Sequence, residues 1–111
     1  MTELATSNPI VLDRPRGAVH PKYPDLIYPL DYGYLENTTA GDGDGIDIWV
    51  GSSDDKTLTG ILCTFDKLKR DAEIKLLIGC TSEDVRTIQL FNPQMQTLFI
   101  PNSMVEDDLS G

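Results

Sequence analysis

The segment Gly41-Asp42-Gly43-Asp44-Gly45-Ile46-Asp47 gathers three carboxylates and then runs into the apolar Ile48-Trp49-Val50. Its glycines permit positive φ and close approach of the backbone to an ion. No Lys or Arg is interleaved to offset the charge. A hard divalent cation with oxygen ligands, Mg²⁺ or Ca²⁺, would remove the mutual repulsion. The calcium loop of an EF-hand does not fit, because Ile46 and Asp47 stand where its third acid and its glycine belong, and Ser53 where its closing glutamate belongs. A polar hairpin turn uses the same residue types. On this stretch alone, metal site and turn both stand.

The elements that must position these acids are short strands. Pro9-Ile10-Val11-Leu12 reads as a strand stopped at Asp13-Arg14-Pro15-Arg16-Gly17. From His20 to Tyr34 the prolines at 21, 24 and 29 exclude helix, so the segment is expected to be irregular extended chain laid over a core. Tyr28, Tyr32 and Tyr34 share one parity there and would project to one side. Strands are then expected over 46–50, 58–65 and 72–80, with Ile74, Leu76 and Ile78 inward and Asp71, Glu73 and Lys75 on the opposite face. Thr81 or Ser82 would cap a helix that places Val85, Ile88 and Phe91 on one side, ended by Asn92-Pro93, and Thr97–Ile100 would be the last strand. The pattern predicts a mainly β, α+β domain: a small closed OB-like Greek-key β-barrel, mostly antiparallel, with one short helix near the C-terminus. Residues 1–8 would form a flexible lead-in, 9–101 the single domain and 102–111 an acidic tail.

At 111 residues and 40% hydrophobic content the core must be modest, and the formal net charge of −9 argues against nucleic acid or an anionic membrane as partner. Anionic substrates are not excluded, since metal ions can bridge carboxylate and phosphate. Cys63 and Cys80 lie in apolar runs and read as reduced, buried thiols. With no signal-like start and no apolar run of spanning length, a cytoplasmic location is expected.

With the acidic loop and the tyrosine segment both in view, the chain resembles the family I soluble inorganic pyrophosphatases. The likeness rests on Ile10-Val11-Leu12-Asp13 with Lys22 nine positions after the acid, on Tyr28-Pro29-Leu30-Asp31-Tyr32-Gly33-Tyr34, and on Asp42-Gly43-Asp44-Gly45-Ile46-Asp47, where Gly45 replaces the usual proline. A looser match keeps the spacing of Asp66 and Asp71 but has Glu73 where the family's lysine is expected, with Lys75 two residues on. The resemblance implies Mg²⁺ as cofactor, held by Asp42, Asp47, Asp66 and Asp71 with Asp13 at the edge. It further implies Asp44 as the group that takes a proton from or orients the attacking water. Lys22, Tyr32 and Lys75 would contact phosphate, Tyr32 also serving catalysis. Pyrophosphate is the implied small-molecule substrate, split into two phosphates.

The likeness covers roughly Pro9 to Ile78, and the family's hairpin with an acid and an arginine, and its C-terminal helix, have no counterpart here. Arg14 or Arg16 is the conceivable substitute for that arginine. A non-catalytic module binding metal or a phosphorylated ligand is the alternative. A nucleic-acid-binding OB barrel is disfavoured by charge and by the lack of a basic aromatic groove. His20 shows no partner in the sequence and reads as structural, while Asp54-Asp55 and Glu106-Asp107-Asp108 read as solvated charge. Homo-oligomerisation, which could complete an incomplete site, is an open expectation.

Overall fold

Among the described residues, alternating apolar positions punctuated by Gly, Pro and Asp form six strands, and helical spacing forms the helix Ser82–Leu90. The computed structural model describes residues 10–36, 45–66, 68, 70–93 and 95–103. The expected lead-in, the acids Asp42 and Asp44, and the tail from 104 lie outside the described residues. In chain order the elements are β1 (Ile10–Arg14), β2 (Asp31–Leu35), β3 (Asp47–Val50), β4 (Leu58–Asp66), β5 (Asp71–Ile78), α1 (Ser82–Leu90) and β6 (Met95–Pro101).

The strands form one sheet in the order β1-β2-β3-β5-β4-β6. All pairings are antiparallel except β3 with β5, which run parallel with Ile48 opposite Leu76 and Val50 opposite Ile78. The chain therefore leaves β3, makes β4 two positions away, and returns to insert β5 between them.

Both faces of the sheet are apolar. Leu35, Ile48, Leu58, Ile61, Leu76 and Ile78 pack together on one face. On the other, Trp49, Leu62 and Leu77 meet Tyr28, Leu30 and the α1 residues Val85 and Ile88. This second layer forms because Leu77, of the same parity as Lys75, is fully buried at the covered end of β5. The expectation that Ile74 faces a core fails: it points to the same side as Leu76 but remains 57% exposed, because the packed layer ends before it reaches that part of β5.

The tyrosine segment also departs from the irregular course expected of it. Pro29 leaves Asp31 free to enter a ladder, and β2 pairs with β1 on one side and β3 on the other. Gly33 makes that pairing possible: a Cβ there would lie 1.9 Å from the Val11 carbonyl oxygen. Between the prolines, the Gly17 N–H donates to the Tyr28 carbonyl, the Tyr28 N–H to the Ala18 carbonyl and the His20 N–H to the Leu26 carbonyl, and Val19 bridges to Ile27.

The helix begins as its sequence dictates. Thr81 is the N-cap: its hydroxyl accepts from the Asp84 N–H, and the Asp84 carboxylate accepts from the Thr81 N–H, each at 3.0 Å. The same carboxylate accepts from the N–H and hydroxyl of Ser52, at 2.9 and 2.8 Å, and so ties the turn after β3 to the helix. Burial disfavours the charged form of Asp84, but these donors outweigh it and hold its pKa below the usual carboxylate value. Phe91 closes the helix and packs partly buried against the tyrosine layer. Among the described residues no helix is long and apolar enough to cross a membrane.

Candidate active site

Strand registers decide which polar side chains meet. Tyr32 lies opposite Trp49, and Asp47 and Lys75 each precede a paired residue of the parallel β3–β5 ladder, so the three share the face that carries α1. The Lys75 ammonium donates to the Tyr32 oxygen at 2.6 Å and to Asp47 Oδ2 at 3.3 Å, and stands 3.4 Å from Glu73 Oε2. It also sits 5.0 Å from the centre of the Tyr32 ring. With its side chain only 14% exposed, this cation is held by two carboxylates and a phenol rather than by water. Burial, and then the neighbouring Asp47 carboxylate, push the Tyr32 phenol well above its ordinary pKa. Tyr32 is consequently a neutral hydroxyl near neutral pH.

Glu73 links this group to an acidic cleft. Asp66 and Asp71 are opposed at the end of the β4–β5 ladder and, with Glu73, Thr64 and Met95, line one depression. Like charges directly across a ladder are unfavourable unless something positive lies nearby. Asp66 Oδ1 also accepts from the Leu68 N–H at 2.9 Å, bracing the turn before Arg70, whose φ of 58° reverses the chain. The charged donors of the cleft are all carboxylates, which suit Mg²⁺ or Ca²⁺ better than zinc or copper. Among the described residues, no three side chains of His, Cys, Asp or Glu are already gathered at metal-holding geometry.

Of the residues singled out in the sequence, the structure thus brings Tyr32, Asp47 and Lys75 together and sets Asp66 and Asp71 beside them through Glu73. It does not bring Asp13 to either group: Asp13 sits on β1 beside Arg14, 3.9 Å from its guanidinium. Lys22 is exposed in the turn after His20, where its backbone N–H donates to His20 Nδ1 at 3.1 Å. Asp42 and Asp44 lie outside the described residues.

His20 has a larger part than its sequence suggested. Its Nδ1 also accepts from the Tyr23 N–H at 3.3 Å, and its ring stacks on Tyr28 with 4° between planes and centroids 5.9 Å apart. Burial lowers its pKa, assisted by the charges of Arg14, Lys22 and Lys75, so the ring is neutral at physiological pH. Nothing in the sequence marked these partners.

The chain is thus an OB-like, mainly β domain in which an ammonium, a phenol and carboxylates meet beside an acidic cleft. The inorganic pyrophosphatase family model matches residues 6–71, well over half of the chain, and the chain belongs to that family. It is 40% identical over 72 residues to the inorganic pyrophosphatases of Geobacillus stearothermophilus and of Bacillus sp. strain PS3, an overlap of 58% of this chain and 42% of each relative. The chain thus spans less than half of the length of those relatives. The fold is similar to that of an inorganic pyrophosphatase from Coxiella burnetii, with a TM-score of 0.59 at 14% identity, covering 91% of this chain and 89% of that one. It is also similar to one from Helicobacter pylori, with a TM-score of 0.53 at 15% identity over 91% and 90%.

Proposed function

We propose that this chain hydrolyses inorganic pyrophosphate to two phosphates with the help of Mg²⁺. The observation that supports this most directly is the junction at Lys75, where an ammonium and a phenol suited to phosphate oxygens adjoin the carboxylates of Asp47 and Glu73 on a chain of pyrophosphatase ancestry. Asp47, Asp66 and Asp71, with Asp42, are the residues that would hold the metal. When bound, divalent cations lower the pKa of a coordinated water and offset the charge of the phosphates.

The chain's own residues supply the rest. Asp44 takes the proton of the attacking water. Lys75 and Lys22 neutralise phosphate oxygens, and Tyr32, kept protonated by its surroundings, donates a hydrogen bond without adding negative charge.

Phosphate release from pyrophosphate in Mg²⁺ tests the reading. Native protein should turn over, and Asp44→Asn and Asp42→Asn should each lose at least about 100-fold. A native protein without turnover in Mg²⁺ or Mn²⁺ that still binds pyrophosphate would instead be a binding module. Glu73 in the place of a lysine is the observation that favours that second reading.

A further inference from the structure

Glu73 has no task in the chemistry proposed above, although it touches both halves of the site. Its Oε2 stands 3.4 Å from the Lys75 ammonium, and its side chain lines the acidic cleft with Asp66 and Asp71. An ammonium has three N–H donors. On Lys75 one is taken by the Tyr32 oxygen at 2.6 Å and one by Asp47 Oδ2 at 3.3 Å, which leaves the third for Glu73 or for a ligand, not for both. Of Asp47 and Glu73, the latter is the freer to move, its side chain 49% exposed against 33%. Swinging away would carry it towards Asp66 and Asp71, and like charges at short range repel. The ammonium is therefore its favoured neighbour as long as the cleft holds no cation.

We propose that Glu73 is a positioning residue that acts through Lys75. Its carboxylate takes the place of a phosphate oxygen at the ammonium, and a divalent cation in the acidic cleft draws it away and so frees Lys75 for phosphate. The inference rests on the phosphate and metal site proposed above. Cation and phosphate then bind cooperatively through Glu73, and by linkage each raises the affinity for the other by the same factor. A half-exposed carboxylate is a modest competitor, so its removal is worth about threefold in phosphate affinity rather than a loss or gain of the whole site.

Calorimetric titration of the full chain with methylenediphosphonate, a pyrophosphate analogue that is not hydrolysed, is the test, run at one ionic strength in EDTA and in Mg²⁺. In EDTA, Glu73→Gln should bind the analogue about threefold more tightly than the native chain. Asp71→Asn, which removes an equal charge from the same cleft two residues earlier on β5, should gain less in EDTA. In Mg²⁺ the advantage of Glu73→Gln should vanish, so that Mg²⁺ raises affinity by a smaller factor in the variant than in the native chain. Glu73→Thr, suited to an exposed strand position, should behave as Glu73→Gln does, and circular dichroism melting confirms that each variant is folded. If Glu73→Gln binds no more tightly than the native chain in EDTA, if Asp71→Asn matches its gain, or if its advantage persists in Mg²⁺, the inference is overturned. Binding of the analogue by the native chain in Mg²⁺ leaves the pyrophosphate reading standing in each of those cases. Failure of every protein to bind the analogue in either buffer overturns both.

Discussion

Lys75 is the residue on which the site turns. It is the cation between Asp47 and Glu73, and it is largely withdrawn from water. Replacing it with Met keeps the stem and removes the charge, which leaves two carboxylates facing each other and a phenol oxygen without its donor. Lys75→Met should destabilise the fold by about 1–2 kcal/mol in urea titration and weaken pyrophosphate binding, while Lys75→Arg should restore stability in part. A Lys75→Met protein with unchanged affinity would remove this residue from the site. His20 gives a second prediction at this scale. Its folded pKa lies below 6.5, so between that lowered value and 6.5 the unfolded chain holds more protons and stability rises with pH. The contribution is complete above pH 6.5 and is lost as pH falls through the folded value. Melting temperature should therefore fall more steeply from pH 7.5 to pH 5 for the native chain than for His20→Gln. Parity along β5 had already put Asp71, Glu73 and Lys75 on one face. The partners of His20 were invisible, because they are backbone N–H groups fixed by a turn and rings brought in from other elements.

At the scale of elements, strands β4 and β5, the cap at Thr81 and the apolar face of α1 were legible because each has a local cause: alternation, a capping box, helical spacing. The parallel β3–β5 pair was not, since alternation looks the same in a parallel and an antiparallel partner. Nor was β2, where proline density pointed to irregular chain although the strand begins two residues beyond Pro29. Gly51 marks where these elements are fastened. Its N–H donates to the Ile78 carbonyl at 2.8 Å, and a Cβ would lie 2.4 Å from the Gly79 oxygen, 2.6 Å from Cys80 Cα and 2.8 Å from Asp84 Oδ2. Two of these obstacles are backbone, so the ends of β3 and β5 must separate to admit a methyl group. Gly51→Ala should cost about 1–3 kcal/mol, read as a lower urea midpoint with an unchanged slope. A midpoint equal to that of the native protein would mean that the contact is looser than its distances require.

For the molecule as a whole, charge and metal are one question. A formal charge of −9 on 111 residues opposes compaction, and Asp66, Asp71 and Glu73 concentrate part of it in one cleft. Any cation screens such repulsion, but only a specific site responds to a divalent ion beyond ionic strength. If the cleft binds Mg²⁺ in the folded chain alone, Mg²⁺ at a hundred times its dissociation constant stabilises by about 2.7 kcal/mol. For a domain of this size that is a rise in melting temperature of roughly 10 °C. The rise should exceed that in KCl of matched ionic strength, reverse with EDTA, and shrink in Asp71→Asn, a substitution that by itself relieves repulsion and so should not lower the metal-free melting temperature. That opposition of signs separates the two causes: screening alone makes Asp71→Asn better in every buffer, whereas a metal site makes it better without Mg²⁺ and worse with it. A native chain whose melting temperature responds equally to MgCl₂ and to KCl at the same ionic strength would leave the cleft as ordinary surface charge and remove the metal from the proposed chemistry.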